Sequence, residues 1–157
     1  MPDLKESIDK LNFLLGKWEG FGAVQYPTIE GCEYREELIF ETNNCEPLIT
    51  YIQKTFYKKN NLPLHSESGY IFSKEDGSYE MNNVQNNGRF EWMKGTLENS
   101  GNKNILTFEY KNVYNDERIV RTQRIFEVKD NTLNYFGNMQ TQKVDFQNHL
   151  TAKLVRV

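Results

Sequence analysis

The sequence is poor in several features that define large classes of protein. Its 157 residues include two cysteines and four prolines, and its formal net charge is only -3, with no block of like charge. Nucleic acids and anionic membranes are bound by basic patches, so we expect neither as a partner. No run is apolar enough to span a bilayer, and the charged first six residues lack the apolar core of a secretory signal. We therefore expect a cytoplasmic protein in which Cys32 and Cys45 are free thiols.

Motifs of the common enzyme families are also missing. The chain has no phosphate-binding glycine loop and no HExxH, CxxC or GxSxG motif. It has only two histidines, far apart in sequence, which argues against a multi-histidine zinc site. Neighbouring acids such as Glu36 and Glu37 would point to opposite faces of a strand, so they cannot act as a catalytic pair.

Aromatic residues, by contrast, are abundant. Phe, Tyr and Trp make up 13% of the chain, and such residues suit the half-buried surface of a β-sheet. Apolar residues at Leu4, Ile8, Leu11 and Leu15 have helical spacing. This spacing predicts one short amphipathic helix over residues 1–15, ending at Gly16. No helical period follows, so we expect an all-β protein.

The rest of the chain alternates between short strand-like runs and turn signals, of which Asp76-Gly77 is a strong hairpin signal. Connections of hairpin length favour an antiparallel up-and-down β-barrel over a Greek key. Closure of a barrel removes exposed edges, and eight or more strands leave room for a ligand inside. We expect a single domain over residues 1–157. The predicted strands cover residues 18–26, 33–40, 48–57, 65–72, 79–85, 89–98, 105–114, 119–128, 133–142 and 149–157.

The first predicted strand has glycines at alternate positions. Gly20 and Gly22 leave one face of the strand bare, which suits either sharp coiling or close approach by a ligand. Trp18, which lies just before them, is expected to plug the floor of the barrel.

Several sequence blocks occur in a recognisable order. They are Gly-x-Trp-x-Gly-x-Gly over residues 16–22, Tyr-Pro-Thr-Ile over 26–29, Tyr-Arg-Glu-Glu over 34–37, Pro-Leu-His-Ser-Glu-Ser-Gly-Tyr over 63–70, and Met139 with His-Leu-Thr-Ala-Lys-Leu over 149–154. Together, over nearly the whole chain, these blocks closely resemble the nitrobindin family of haem-binding barrels. The family fold is an antiparallel barrel of about ten strands, similar to lipocalins and fatty-acid-binding proteins, which agrees with the strand pattern.

The resemblance implies that the chain binds ferric haem b and reacts with nitric oxide and with peroxynitrite, which it would isomerise to nitrate. It also implies that His149 is the axial ligand of the iron, a role suited to a neutral imidazole. Without the resemblance, an inert, hydrogen-bonded histidine is the better interpretation. Leu150, Ala152 and Leu154 form the apolar face of that strand, so strict alternation would point His149 outward. A position at the barrel mouth, before regular alternation begins, would remove this conflict.

The resemblance places four more residues near the haem. Leu64 and His65 belong to one block, in which His65 would bind a propionate or line the distal pocket. Alternatively, His65 is tied to Glu67 or to the backbone at a strand start. Thr28 would contact the cofactor, or it caps the adjacent turn. Met139 is expected to form part of the apolar wall, because methionine adapts to irregular ligand surfaces.

Three segments depart from the family pattern. Cys32 stands where an aromatic residue is common, residues 82–88 are more polar than their counterparts, and residues 137–140 replace a more apolar run. If these segments line the pocket, they would change the affinity for haem or the distal chemistry without touching the axial ligand.

The alternative function is that of an intracellular carrier of a fatty acid or another small hydrophobic molecule. Such a barrel would hold a carboxylate with an internal arginine, Arg124 or Arg121, together with tyrosines. A carrier has no need of His149. In either case the partner is a small molecule, and the protein is expected to be a monomer or a homodimer.

Overall fold

The computed structural model describes residues 3–157 and begins with a short helical segment. Helix α1 spans Leu4–Asp9, and one turn of 3-10 helix follows at Asn12–Leu14. The prediction of one continuous helix to Leu15 is wrong in length, because the backbone leaves helical geometry at Leu11. This break buries Leu14 and directs its carbonyl to the indole nitrogen of Trp18, which donates a 2.8 Å hydrogen bond. Residues 1 and 2 of the predicted helix lie outside the described part.

Ten strands follow, and each pairs with antiparallel neighbours. Consecutive strands are adjacent throughout, and β1 closes the sheet by pairing with β10, with Trp18 opposite Arg156 and Val24 opposite Leu150. The predicted up-and-down barrel is therefore confirmed. The strands are β1 (Gly16–Tyr26), β2 (Ile29–Glu41), β3 (Leu48–Tyr57), β4 (Pro63–Ser73), β5 (Tyr79–Gln85), β6 (Phe90–Ser100), β7 (Lys103–Tyr114), β8 (Ile119–Lys129), β9 (Thr132–Thr141) and β10 (Gln147–Arg156).

The glycines of β1 allow close approach by neighbouring strands, and neither Gly20 nor Gly22 lines the cavity. A Cβ at Gly20 would lie 2.1 Å from the carbonyl oxygen of Lys153 on β10, and one at Gly22 would lie 2.5 Å from the ring of Tyr34. Only a residue without a side chain lets β1 approach its neighbours so closely. Trp18 is fully buried, as expected for a residue that plugs the barrel floor.

The N-terminal segment covers one end of the barrel, which we call the floor. Ile8, Leu11 and Leu14 are buried in the same apolar cluster as Trp18. The hydroxyl of Tyr79, at the start of β5, donates a 2.7 Å hydrogen bond to the carbonyl of Ser7. The apolar core therefore fills the floor half of the barrel, and the opposite end, the mouth, remains available for a ligand.

The two cysteines lie toward opposite ends of β2. Cys32 is on the mouth side, and Cys45 is exposed in the β2–β3 loop beyond the floor end. Both thiols are free, which confirms the prediction for the cysteines. Within residues 3–157, no helix combines the length and the apolar character needed to cross a membrane.

Candidate functional site

A cavity of about 560 Å³ opens at the mouth of the barrel, a volume in the range of small-molecule binding sites. Its base is polar and lies inside the barrel, its wall is largely apolar, and its rim is formed by residues at the connections β1–β2, β5–β6, β7–β8 and β9–β10. Apolar wall residues include Val24, Tyr26, Leu64, Met139 and Leu150.

His149 enters this cavity through an irregularity in strand β10. Asn148 pairs with Asn138 and Leu150 pairs with Gly137, so His149 is one extra residue opposite an uninterrupted β9. Such a β-bulge re-aims the side chain that it contains. His149 and Leu150 consequently both line the cavity, although they are adjacent in sequence. The conflict with strict alternation is removed by this bulge at the barrel mouth.

The surroundings of His149 keep its imidazole neutral. Burial lowers its pKa, against an opposing effect of the Gln25 backbone. The Tyr26 ring lies edge-on to the imidazole, with 5.2 Å between the centroids, and the Tyr26 hydroxyl donates a 3.0 Å hydrogen bond to the carbonyl of Met139. Among residues 3–157, His149 Nδ1 is buried without a hydrogen-bond partner. A half-buried, neutral imidazole that lines a cavity is suited to metal ligation.

The other predicted site residues also line the cavity, at different levels. Leu64 is the extra residue of a second bulge, because Thr55 pairs with His65 and Phe56 pairs with Pro63. His65 Nε2 lies 3.0 Å from Glu67 Oε1, so the predicted tie to Glu67 exists in a residue that also lines the pocket.

Two further predicted residues frame the opening. Thr28 is exposed at the rim, in the two-residue turn that it forms with Pro27 between β1 and β2. Met139 lines the wall from β9.

The base of the cavity is a buried network, of which the sequence predicted only an internal arginine at Arg124 and a tie between His65 and Glu67. Arg124 donates to both oxygens of Glu67, at 2.7 and 3.1 Å, and to Oε1 of Glu91 at 2.6 Å. The hydroxyl of Tyr51 donates to Glu67 at 2.6 Å, and that of Thr122 donates to Glu91 at 2.6 Å. These residues stand on four different strands, β3, β4, β6 and β8. The sequence contains a signal for this network, because polar residues stand at inward positions of strands whose other inward residues are apolar. Which positions face inward becomes clear only when the strands are paired.

Charge in this network is fixed mainly by ion pairing. Burial alone would raise the pKa of Glu67, but Arg124 and His65 outweigh it and lower the pKa to about 2. Burial likewise opposes the charge of Arg124, yet the carboxylates of Glu67 and Glu91 raise its pKa well above its ordinary value. Arg124 and Glu67 therefore stay ionised over the physiological range.

Glu36 is the exception in the network. It is fully buried, and its Oε1 accepts a hydrogen bond from Gln53. Among the described residues, its Oε2 has no partner. Burial raises its pKa to about 7, with Glu67 adding to the effect and with Gln53 and Arg124 opposing it. Its carboxyl group therefore titrates near neutrality inside the barrel.

The segments that depart from the family pattern contribute unequally to the cavity. From residues 82–88, Gln85 and Asn87 line the cavity, and Gln85 donates to Glu91 at 2.6 Å. From residues 137–140, Gly137 and Met139 also line the cavity. Cys32 is absent from the lining of this cavity within the described chain. The polar 82–88 segment thus extends the polar base rather than the apolar wall.

These features define the class of the protein: a closed antiparallel β-barrel with a cavity at its mouth, lined by an apolar wall and a neutral imidazole. Comparison with known proteins identifies the family. Residues 7–156 match the model of the THAP4-like, heme-binding beta-barrel domain. The chain belongs to this family of haem-binding barrels.

Named relatives and a solved structure agree with this family. The chain is 35% identical over 153 residues to peroxynitrite isomerase Rv2717c of Arabidopsis thaliana, covering 98% of this chain and 90% of that protein. It is 34% identical to peroxynitrite isomerase 2 of Mycobacterium ulcerans, covering 99% of each. The crystal structure of Rv2717c from M. tuberculosis matches with a TM-score of 0.90 at 30% identity, over 99% of each chain.

The cavity suits a haem group by the chemistry of its donors. Among residues 3–157, no three His, Cys, Asp or Glu side chains are grouped to hold a bare metal ion. His149 offers one neutral nitrogen, the kind of donor that would hold the iron of a haem whose other ligands come from the porphyrin. The apolar wall matches the face of a macrocycle.

Proposed function

We propose that this barrel binds haem b with His149 as the axial ligand, isomerises peroxynitrite to nitrate and binds nitric oxide at the same iron. The observation that carries the proposal is the bulge in β10, which turns a half-buried, neutral imidazole into the cavity of a haem-binding barrel. The names of the relatives, peroxynitrite isomerases, support the choice of reaction.

The residues of this chain supply position and environment for that chemistry. When bound, ferric haem supplies a Lewis-acidic iron with a position for a small anion or for nitric oxide. The Tyr26 ring and its hydrogen bond to the Met139 carbonyl restrict the orientation of the His149 ring. Val24, Leu64 and Leu150 exclude water from the wall. Conversion of peroxynitrite to nitrate is an isomerisation, so the overall reaction takes up no proton.

The alternative function, a carrier of a fatty acid or another small hydrophobic molecule, has less support because both candidate arginines are already paired. Arg124 is saturated by Glu67 and Glu91, so a fatty-acid carboxylate would meet a base with excess negative charge. Arg121 does not line the cavity and pairs with Glu109 at 2.9 Å.

Substitution of the two histidines tests the proposal. His149→Ala should weaken hemin binding by at least about a hundredfold, or about 2.8 kcal/mol, because the protein ligand to iron is lost. His65→Ala, the matched control within the same cavity, should have a much smaller effect. Hemin titrations followed by the Soret band measure both, and far-ultraviolet circular dichroism checks the fold.

The two variants also separate the alternatives. If His149→Ala keeps the wild-type Soret position and hemin affinity while His65→Ala loses both, the iron ligand is His65 and not His149. If neither change matters, haem binding is nonspecific and the carrier function becomes the better one. Nitrate formation from peroxynitrite should require hemin in the wild type and should be lost in His149→Ala.

A further inference from the structure

The charges that line the cavity are separated by sign. The base contains the carboxyl groups of Glu36, Glu67 and Glu91 against the single guanidinium of Arg124. The rim contains Arg89, Arg118 and Lys143, and no carboxylate among the described residues lines it. A ligand with anionic groups at one edge is therefore repelled by the base and attracted by the rim.

The rim cations come from three successive connections on one side of the mouth. Arg89 follows the β5–β6 turn, Arg118 lies between β7 and β8, and Lys143 lies between β9 and β10. The facing side of the rim is apolar and includes Ile29 and Leu64. The mouth is thus divided into a cationic half and an apolar half.

Asp116 neutralises only part of the cationic half. Arg118 donates to both carboxylate oxygens of Asp116, at 2.9 and 3.0 Å, and Arg89 Nη2 lies 3.3 Å from Oδ2. One carboxylate against two guanidinium groups leaves one positive charge. Lys143, which has no ion-pair partner among residues 3–157, adds a second.

Arg89 also has unused hydrogen-bonding capacity beside the cavity. Its side chain is 18% exposed, and its Nε is buried without a partner in the described part of the chain. A buried guanidinium N–H without an acceptor is costly, so an acceptor supplied by a ligand would be stabilising there.

We propose that Arg89, Arg118 and Lys143 hold the two propionate groups of the porphyrin, so that its carboxylate edge lies at the cationic half of the rim and its apolar edge lies toward Ile29 and Leu64. This inference rests on the proposed haem function and specifies how the ring is oriented. Two excess positive charges match two carboxylates, and the acidic base excludes the reversed insertion.

Metal-free protoporphyrin IX tests this inference without the iron ligand. Its fluorescence reports binding, and its dimethyl ester has the same ring without the two charges. The wild type should bind the diacid better than the ester by about tenfold, the combined effect expected for two partly exposed ion pairs. This preference should fall as salt is added.

The informative variant is Arg118→Gln/Lys143→Gln. It should lose the preference for the diacid while its affinity for the ester stays unchanged. The matched control is Lys58→Gln/Lys59→Gln, which removes two positive charges from the β3–β4 connection at the same end of the barrel, outside the cavity lining. The control should keep the wild-type preference. The ester is less soluble than the diacid, which affects every protein in the same way. The ratio of diacid affinity to ester affinity is therefore compared between proteins, so that this difference cancels.

The outcomes distinguish this inference from the haem proposal. If the rim variant keeps the wild-type preference, or if the wild type binds diacid and ester equally, the propionate assignment is overturned while axial ligation by His149 stands. His149→Ala should keep the diacid preference, because no iron is present. If the wild type binds neither porphyrin, the propionate assignment is overturned, and the hemin titrations of the wild type and His149→Ala still decide the haem proposal.

Discussion

At the scale of single residues, one extra amino acid decides the chemistry of the cavity. Alternation along residues 150–154 assigns Leu150 to the interior and His149 to the outside. The bulge opposite Asn138 and Gly137 turns both side chains inward. Leu64 enters the cavity by the same device on β4. Two bulges at the mouth therefore direct one imidazole and one apolar side chain into the cavity, where a regular barrel would point both outward.

Glu36 provides a pH-dependent prediction at this scale. Its pKa rises from the ordinary 4.5 to about 7 on folding, chiefly through burial. The folded state therefore binds more protons than the unfolded state between these values, and this residue lowers stability as pH increases across that window. Glu36→Gln should remove this loss of stability. The unfolding free energy of the variant minus that of the wild type should therefore increase by roughly 3 kcal/mol from pH 4.5 to pH 7.

Urea unfolding at several pH values measures this difference. His149, whose pKa is lowered by burial, gives the opposite slope in both proteins and cancels in the comparison. Glu37→Gln is the matched control, since Glu37 is a neighbour on β2 whose pKa is lowered by its hydrogen bond from Arg35. A stability difference for Glu36→Gln that does not change with pH would show that Glu36 is not protonated in the folded protein.

At the scale of elements, the closing seam between β1 and β10 depends on close backbone approach. Gly20 pairs with Leu154, and a Cβ at Gly20 would lie 2.1 Å from a backbone oxygen and 2.8 Å from the Leu154 Cα. Backbone atoms cannot rotate away as a side chain can. The strands would have to separate, which would disturb the β1–β10 pairing that closes the sheet.

We therefore predict that Gly20→Ala costs more than about 2 kcal/mol of unfolding free energy, which exceeds the usual effect of a point substitution. Gly31→Ala is the control on the neighbouring strand, because its Cβ would meet only the Val24 carbonyl oxygen, at 3.2 Å. Its cost should stay below about 1 kcal/mol. Equal effects in thermal or denaturant unfolding would show that the seam tolerates a side chain.

At the scale of the whole molecule, stability and ligand binding are placed at opposite ends of the barrel. The floor holds Leu11, Leu14 and Trp18, all fully buried, beneath the N-terminal segment. The cavity lining includes none of these residues. A change confined to the floor should therefore alter unfolding without altering the porphyrin site.

Leu11→Ala tests this separation. It should cost about 2–5 kcal/mol of stability, the range for removing a buried leucine side chain. At a temperature where the variant is fully folded, its affinity for hemin should remain within about twofold of the wild type, a difference of only about 0.4 kcal/mol. A large loss of hemin affinity in the folded variant would show that the floor and the mouth are coupled.

The sequence alone determined the number of strands, their antiparallel order and the free thiols, because alternation and hairpin turns are properties of neighbouring residues. It also singled out His149, although only through resemblance to a family. Tertiary structure decided the rest. The inward aim of His149 depends on the register with β9, and helix α1 ends at Asp9, before the turn that buries Leu14 in the core. The network around Arg124 joins residues from separate strands, and these residues meet only when the sheet closes.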